Sequence, residues 1–258
     1  MNTSAAGLRV LVTAGAAGIG RAIAQTFVAH GARVHICDVD RGALDEAKRL
    51  LPQVTQSVTD VASPEEVNRL FADVKRELGG LDVLVNNAGI AGPTGKIEDL
   101  APADWDRCIA VDLNSMFYCT RLAMPLIKAA GGGSIINLSS VAGRLGFPMR
   151  TPYAAAKWAV VGLTKSLAIE AGPDGVRVNC LQPGNVEGER INRVIDAKAQ
   201  ALGIPFEAQK QKLLDSVSLR TFVTAEDIAN MALFLATDAG KHISGQALSI
   251  CGDITRTV

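Results

Sequence analysis

Tyr153 and Lys157 stand four residues apart in the Ala-rich stretch Tyr153-Ala154-Ala155-Ala156-Lys157. Alanine favours helix, and residues i and i+4 of a helix share a face, so the phenol and the ammonium project to the same side. A phenol beside a partly desolvated ammonium can carry negative charge on its oxygen, which suits it to exchange a proton at neutral pH. Alone, such a pair is more often chance amphipathic surface. Ser140 precedes Tyr153 by 13 residues and closes the apolar run Ser134–Ser139. Its hydroxyl can hydrogen-bond an oxygen on which charge develops. A phenol, an ammonium and a hydroxyl around one oxygen describe proton transfer at an alcohol or carbonyl.

A second group lies near the start of the chain. The run Leu8–Thr13 leads into Thr13-Ala14-Gly15-Ala16-Ala17-Gly18-Ile19-Gly20 and then into a helical pattern. Glycines there let the backbone approach a pyrophosphate, and helix N-terminal amides face that anion; Gly15, Gly18, Ile19 and Gly20 are the residues expected to meet it. A glycine-rich loop by itself is weak evidence. Asp38, which ends the second apolar run 20 residues after Gly18, strengthens it. An acid at that place accepts the ribose hydroxyls of an adenosine. The same carboxylate repels a 2′-phosphate, and Arg41 is the nearest cation in sequence, so the pattern favours NAD over NADP.

These side chains need a scaffold that brings strand ends together. Short β-branched runs alternate with longer segments of helical period, the pattern of a parallel sheet covered by helices. Strands are expected at Leu8–Thr13, Arg33–Asp38, Gln53–Val58, Asp82–Asn86, Ser134–Ser139, Val176–Gln182 and Ala247–Cys251. Ser63-Pro64-Glu65-Glu66 marks a helix start with a capping Ser, Pro in the first turn and acids at the positive end; Ala101-Pro102-Ala103-Asp104 is a weaker version. The expected architecture is α/β, a single doubly wound domain over residues 1–258 with a mostly parallel seven-stranded sheet and helices on both faces. One irregular region, residues 184–219, follows a strand and carries mixed charges. It reads either as a lid over the strand ends or as a pair of surface helices.

Composition narrows the function classes. Acidic and basic residues balance at 26 each with no basic block, which argues against nucleic acid. The opening residues are small and polar and the first apolar run is too short for a signal segment or a membrane span, so a cytoplasmic protein with no membrane association is expected. Five cysteines, Cys37, Cys108, Cys119, Cys180 and Cys251, are odd in number and widely spaced, and His30, His35 and His242 are dispersed. Reduced, mostly buried thiols and no catalytic metal are expected. Trp105 and Trp158 read as packing residues, and Glu187 and Glu189 as solvated charges.

From Leu8 to Gly252 the chain resembles the short-chain dehydrogenase/reductase family. The resemblance rests on the glycine loop, Asn86-Asn87-Ala88-Gly89, Asn114, Ser140 within Asn137-Leu138-Ser139-Ser140, Tyr153-Ala154-Ala155-Ala156-Lys157, and Pro183-Gly184. It implies a Rossmann-type fold and an NAD-dependent oxidoreductase that moves a hydride between nicotinamide and a secondary alcohol or carbonyl. In that reading Tyr153 is the general acid/base, Lys157 lies beside it and on the nicotinamide ribose, Ser140 is on the substrate oxygen, and Asn114 holds a water that links Lys157 to solvent. The resemblance further puts Asp60 and Val61 beside the adenine, Asn87, Ala88 and Gly89 on adenosine and ribose, Pro183 and Gly184 at the cofactor, and Val186 at the carboxamide through its backbone. It also implies a homotetramer or homodimer packed through helices that include the Tyr153 segment. Two departures stand out: Ala14 replaces a usual Gly, and a Thr common after the Pro-Gly is absent from Asn185-Val186-Glu187-Gly188.

Alternatives remain open at this point. A reductase of 3-oxoacyl thioesters shares the catalytic residues, and an NAD-binding sensor or scaffold shares the fold. The substrate is not legible. Between Ser140 and Tyr153, Arg144 and Arg150 are the only charges, and the loop that carries them must pass the substrate side. An Arg facing the cleft would bind a carboxylate, sulfonate or phosphate. The simpler reading pairs both with acids on a neighbouring helix or subunit. Phe147, Pro148 and Met149 promise an apolar wall.

Overall fold

In the first strand, β1 (Arg9–Thr13), Val10 and Val12 face one helix layer and Leu11 the other, all three fully buried. Apolar residues on both sides of a pleated strand force it into the middle of a sheet covered on both faces. The computed structural model, which describes residues 3–256, bears this out. The strands β2 (Arg33–Asp38), β3 (Thr55–Val58), β4 (Val83–Asn86), β5 (Gly133–Leu138), β6 (Val176–Pro183) and β7 (Ala247–Ile250) join β1 in one sheet of order β3-β2-β1-β4-β5-β6-β7. Every neighbouring pair is parallel. The seven expected strands are all present, with ends shifted by at most two residues.

Helices α1 (Gly18–Ala29), α2 (Arg41–Leu50), α3 (Pro64–Leu78), α4 (Pro102–Ile109), α5 (Ser115–Ala129), α6 (Thr151–Ala171), α7 (Glu189–Leu202), α8 (Phe206–Asp215) and α9 (Ala225–Ala236) fill the connections. One layer buries Ile23 and Phe27 of α1, Leu44 and Ala47 of α2, and Ile228 and Ala232 of α9 against Val10, Val34, Val85 and Ile136. The other buries Leu70 and Val74 of α3 and Cys119, Ala123 and Ile127 of α5 against Leu11, Leu84 and Ile135. Starts follow local chemistry. Ser63 Oγ accepts the Glu66 N–H ahead of Pro64, and Thr224 and Asp227 form a reciprocal capping box on α9.

The chain leaves β3 and returns at β4 on the far side of β1, so strand order reverses between β1 and β4. A crevice opens at the carboxyl ends of strands flanking such a reversal, which is where open parallel sheets take ligands. Residues 184–219 contain α7 and α8, joined to the body by the parallel bridge Val186↔Val223.

Candidate active site

The cavity over the carboxyl edge of the sheet measures about 710 Å³. Its wall includes the glycine loop, Asp38, Asn87, Ser140, Tyr153, Lys157 and the inner faces of α7 and α8. Helical spacing carries Tyr153 and Lys157 on α6, while Ser140 follows β5. The Ser139 hydroxyl donates to the Lys157 carbonyl at 2.8 Å, which pins the strand end to the helix. Ser140 Oγ accepts the Ala142 N–H at 3.2 Å, which leaves its own proton to donate.

Lys157 is 3% exposed, and its Nζ donates to the Leu138 carbonyl at 3.0 Å and lies 5.5 Å from the centre of the Tyr153 ring. The Arg150 guanidinium lies 4.8 Å from the same ring centre. Two buried cations therefore flank one phenol, an arrangement that stabilises negative charge developing on its oxygen.

The dinucleotide end meets a steric test. A Cβ on Gly20 would lie 2.0 Å from the Ala14 carbonyl oxygen, and one on Gly15 would lie 2.7 Å from Ile36 Cβ, so both positions exclude a side chain. Gly18 at φ 51° opens on empty space. Helix α1 begins there with no capping side chain, its first amides free to face an anion. Asn87 Nδ2 donates to the Thr13 and Ala14 carbonyls at 2.9 and 3.0 Å, and Thr13 Oγ1 accepts the N–H of both Asn87 and Ala88. The Asp38 carboxylate accepts the N–H of Ala16 and of Asp40. These features fit a pyrophosphate-linked dinucleotide. Ala14 has φ 48°, the left-handed region that Gly adopts freely and Ala at a cost of about 1–2 kcal/mol.

Gly184 and Val186 also line the cavity, and Pro183 closes β6 beside them. The Val186↔Val223 bridge uses the Glu187 N–H and the Asn185 carbonyl, which keeps Val186's own backbone groups out of those two bonds. The Asn185 amide nitrogen is buried without a partner among the described residues. Asp60 and Val61 stand outside the cavity wall: the Asp60 carboxylate pairs with Arg107 at 3.2 Å and accepts the Ala62 N–H, and Val61 is packed in the core.

Asn114 closes a π-helical turn, Ala110–Asn114, between α4 and α5, and is not part of the cavity wall. Two residues earlier, the fully buried Asp112 accepts the Ile90 N–H at 2.6 Å. A Cβ on Gly89 would touch both Asp112 Oδ1, at 2.9 Å, and Lys157 Nζ, at 3.3 Å, so carboxylate and ammonium converge beside that glycine. Sequence reading passed over Asp112; the signal was an acid inside the apolar run Ile109-Ala110-Val111-Asp112-Leu113.

The two loop arginines diverge. Arg144 donates to the Ile254 carbonyl at 3.0 Å and lies outside the cavity wall, holding the C-terminal segment. Arg150 is 6% exposed, lines the cavity and donates to the Ala91 carbonyl. Neither pairs with an acid among the described residues. Trp105 and Trp158 are 38% and 51% exposed and stay out of both the core and the cavity. No helix among the described residues is long and apolar enough to cross a membrane.

Residues 14–254 match the family described as Enoyl-(Acyl carrier protein) reductase. The chain is 35% identical to D-beta-hydroxybutyrate dehydrogenase of Cupriavidus necator, over 95% of this chain and 97% of that one. Among solved structures, an NAD+-bound xylitol dehydrogenase superposes with TM-score 0.93 at 27% identity, covering 96% of this chain and 99% of the other. L-sorbose reductase from Gluconobacter frateurii, complexed with NADPH and L-sorbose, superposes with TM-score 0.92 at 28% identity over 100% of both chains.

Proposed function

The chain belongs to the short-chain dehydrogenase/reductase family, enzymes that act on CH–OH groups with a nicotinamide cofactor, and we propose that it oxidises a secondary alcohol with NAD, Tyr153 being the general acid/base. The observation that carries this reading is the meeting of Tyr153, Ser140 and Lys157 in the one cavity that also holds the glycine loop and Asp38.

When bound, the nicotinamide dinucleotide accepts the hydride from the carbinol carbon. The glycine loop and the open start of α1 would hold its pyrophosphate, and Asp38 would accept hydrogen bonds from the ribose hydroxyls. Ser140 Oγ donates a hydrogen bond to the substrate oxygen and fixes it beside the phenol. Tyr153 Oη takes the hydroxyl proton as the carbonyl forms, and returns it when the reaction runs the other way. Lys157 and Arg150 stabilise the phenolate while it waits for that proton. Lys157 would also reach the nicotinamide ribose, and Asp112 stands with it beside Gly89. Asp38 supports NAD over NADP, because a 2′-phosphate would meet its carboxylate.

Large apolar side chains left exposed on α5 and α6, Phe117, Trp158 and Ile169, support a homodimer or homotetramer, which sedimentation equilibrium would measure. The activity is tested by a panel of sugars, polyols, hydroxy acids and cyclic or aromatic secondary alcohols, followed at the reduced nicotinamide absorbance with NAD. Turnover of at least one class is expected. Tight NADH binding with no turnover across the panel would overturn the proposal in favour of a sensor.

A further inference from the structure

Arg150 is buried and Arg177 half-buried, and the two are held differently. The Arg177 guanidinium, at the base of β6, donates to the carbonyls of Leu235, Ala236 and Gly240, and every contact belongs to the scaffold. Arg150 has one carbonyl partner, Ala91, and its guanidinium carbon lies 5.7 Å from the Phe147 ring centre and 4.8 Å from that of Tyr153. Its Nε is buried with no hydrogen-bond partner among the described residues. A buried guanidinium with an unused donor and no carboxylate is costly to keep, and an incoming anion would repay that cost.

Elsewhere in the lining of the same cavity the pattern repeats. Gln209 of α8 is 0% exposed, lines the same cavity, and has neither amide oxygen nor amide nitrogen paired among the described residues. Lys198 of α7 also lines the cavity with Arg150, and burial together with the Arg150 charge lowers its pKa. Met149, immediately before Arg150, has φ 64°, a strained angle for a side-chain-bearing residue and one that sets the direction in which Arg150 leaves the backbone. Phe147 and Met149 add apolar surface to the same cavity wall.

We infer that Arg150, Gln209 and Lys198 form an anion subsite that selects secondary alcohols bearing a carboxylate or sulfonate on an apolar body. Arg150 supplies the planar fork, Gln209 an amide N–H, and Lys198 additional positive charge. The inference rests on the hydride-transfer reading for what the substrate's other end does. Arg150 has a competing role, that of stabilising phenolate on Tyr153 alone, which would affect acidic and neutral substrates equally.

Two matched pairs separate these roles: 3-hydroxybutanoate with its methyl ester, and 4-hydroxycyclohexanecarboxylate with its methyl ester. The ratio of kcat/KM for acid over ester should exceed about 10 in at least one pair. It should fall about 10- to 100-fold in Arg150→Met, as expected for one or two charge-assisted hydrogen bonds. Gln209→Leu, which preserves side-chain bulk, should lower the ratio as well and guards against a folding defect in the arginine variant. Calorimetry of the NADH complex with cyclohexanecarboxylate and with cyclohexylmethanol gives a readout that needs no turnover: the acid should bind at least about 10-fold more tightly, and Arg150→Met should remove the difference. Ratios at or below one in both pairs, or a loss in Arg150→Met that is equal for acid and ester, would overturn the subsite while leaving hydride transfer intact. Carboxylate binding by a chain that turns over no alcohol would support the subsite and sink the hydride-transfer reading instead.

Discussion

Replacing Asp38 by Asn removes one negative charge from the end of β2 and leaves the shape in place. The carboxylate holds the Ala16 and Asp40 N–H groups, and the Asn oxygen can still accept one of them, so the loop should keep its form. A 2′-phosphate carries about −1.5 to −2 charges at neutral pH. Placed about 4 Å from a carboxylate, each unit pair costs about 1 kcal/mol in bulk water and about 4 kcal/mol near a protein surface. Asp38 is partly buried at the cavity wall, between those limits, so a repulsion of about 2–4 kcal/mol is expected, or about 30- to 1000-fold in relative efficiency. The assay is kcat/KM for NAD and for NADP with one active alcohol, in wild type, Asp38→Asn and Asp40→Asn. Asp40 is an exposed helix cap two residues on and serves as the control for a general charge effect. The NAD-to-NADP ratio should drop at least about 30-fold in Asp38→Asn and stay near wild type in Asp40→Asn. In wild type the ratio should also shrink between low salt and about 1 M salt, where the screening length falls to roughly 3 Å. An unmoved ratio in Asp38→Asn would refute the assignment of cofactor choice to this residue.

Tyr153→Phe keeps the ring beside Arg150 and Lys157 but removes the oxygen, so NADH binding should persist while kcat falls at least about 100-fold; retained turnover would eliminate Tyr153 as the acid/base. His35 is fully buried against the Thr55 and Ser57 hydroxyls, and desolvation lowers its pKa to about 4. An unfolded His takes its proton near pH 6.5, so this group leaves stability untouched above that pH and removes it as pH falls from about 6.5 toward about 4. Urea unfolding should show about 2 kcal/mol less stability at pH 5 than at pH 7 from this source, and His35→Asn should flatten that part of the slope. Ala14→Gly should raise stability by about 0.5–1 kcal/mol, since relief of the left-handed backbone outweighs the added entropy of the unfolded chain, and thermal unfolding should rise by roughly 1–4 °C.

The elements were legible because their causes are local. Arg33–Asp38 reads as a strand from its own β-branched run, and Ser63-Pro64 starts a helix by satisfying amides three residues on. The pairing of Tyr153 with Lys157 follows from the helical repeat, and the glycine loop with Asp38 follows from a strand-turn-helix of fixed length. Strand order was expected only as a class. The reversal between β1 and β4 depends on contacts between distant segments.

Side-chain direction in loops and irregular turns was decided by tertiary packing. Arg144 and Arg150 are the same residue type in one loop, yet one turns to the C-terminal segment and the other enters the cavity, because Met149 takes a left-handed backbone angle and Phe147 and Tyr153 provide faces for a guanidinium. Asp112 and Asn114 share a π-helical turn, and the contact of the Asp112 carboxylate with the Ile90 N–H depends on a segment 22 residues away. Asp60 pairs with Arg107, a partner 47 residues distant. Spacing along the chain specifies what an element can present, while the direction of a lone side chain outside a regular repeat is set by neighbours that only the folded chain supplies.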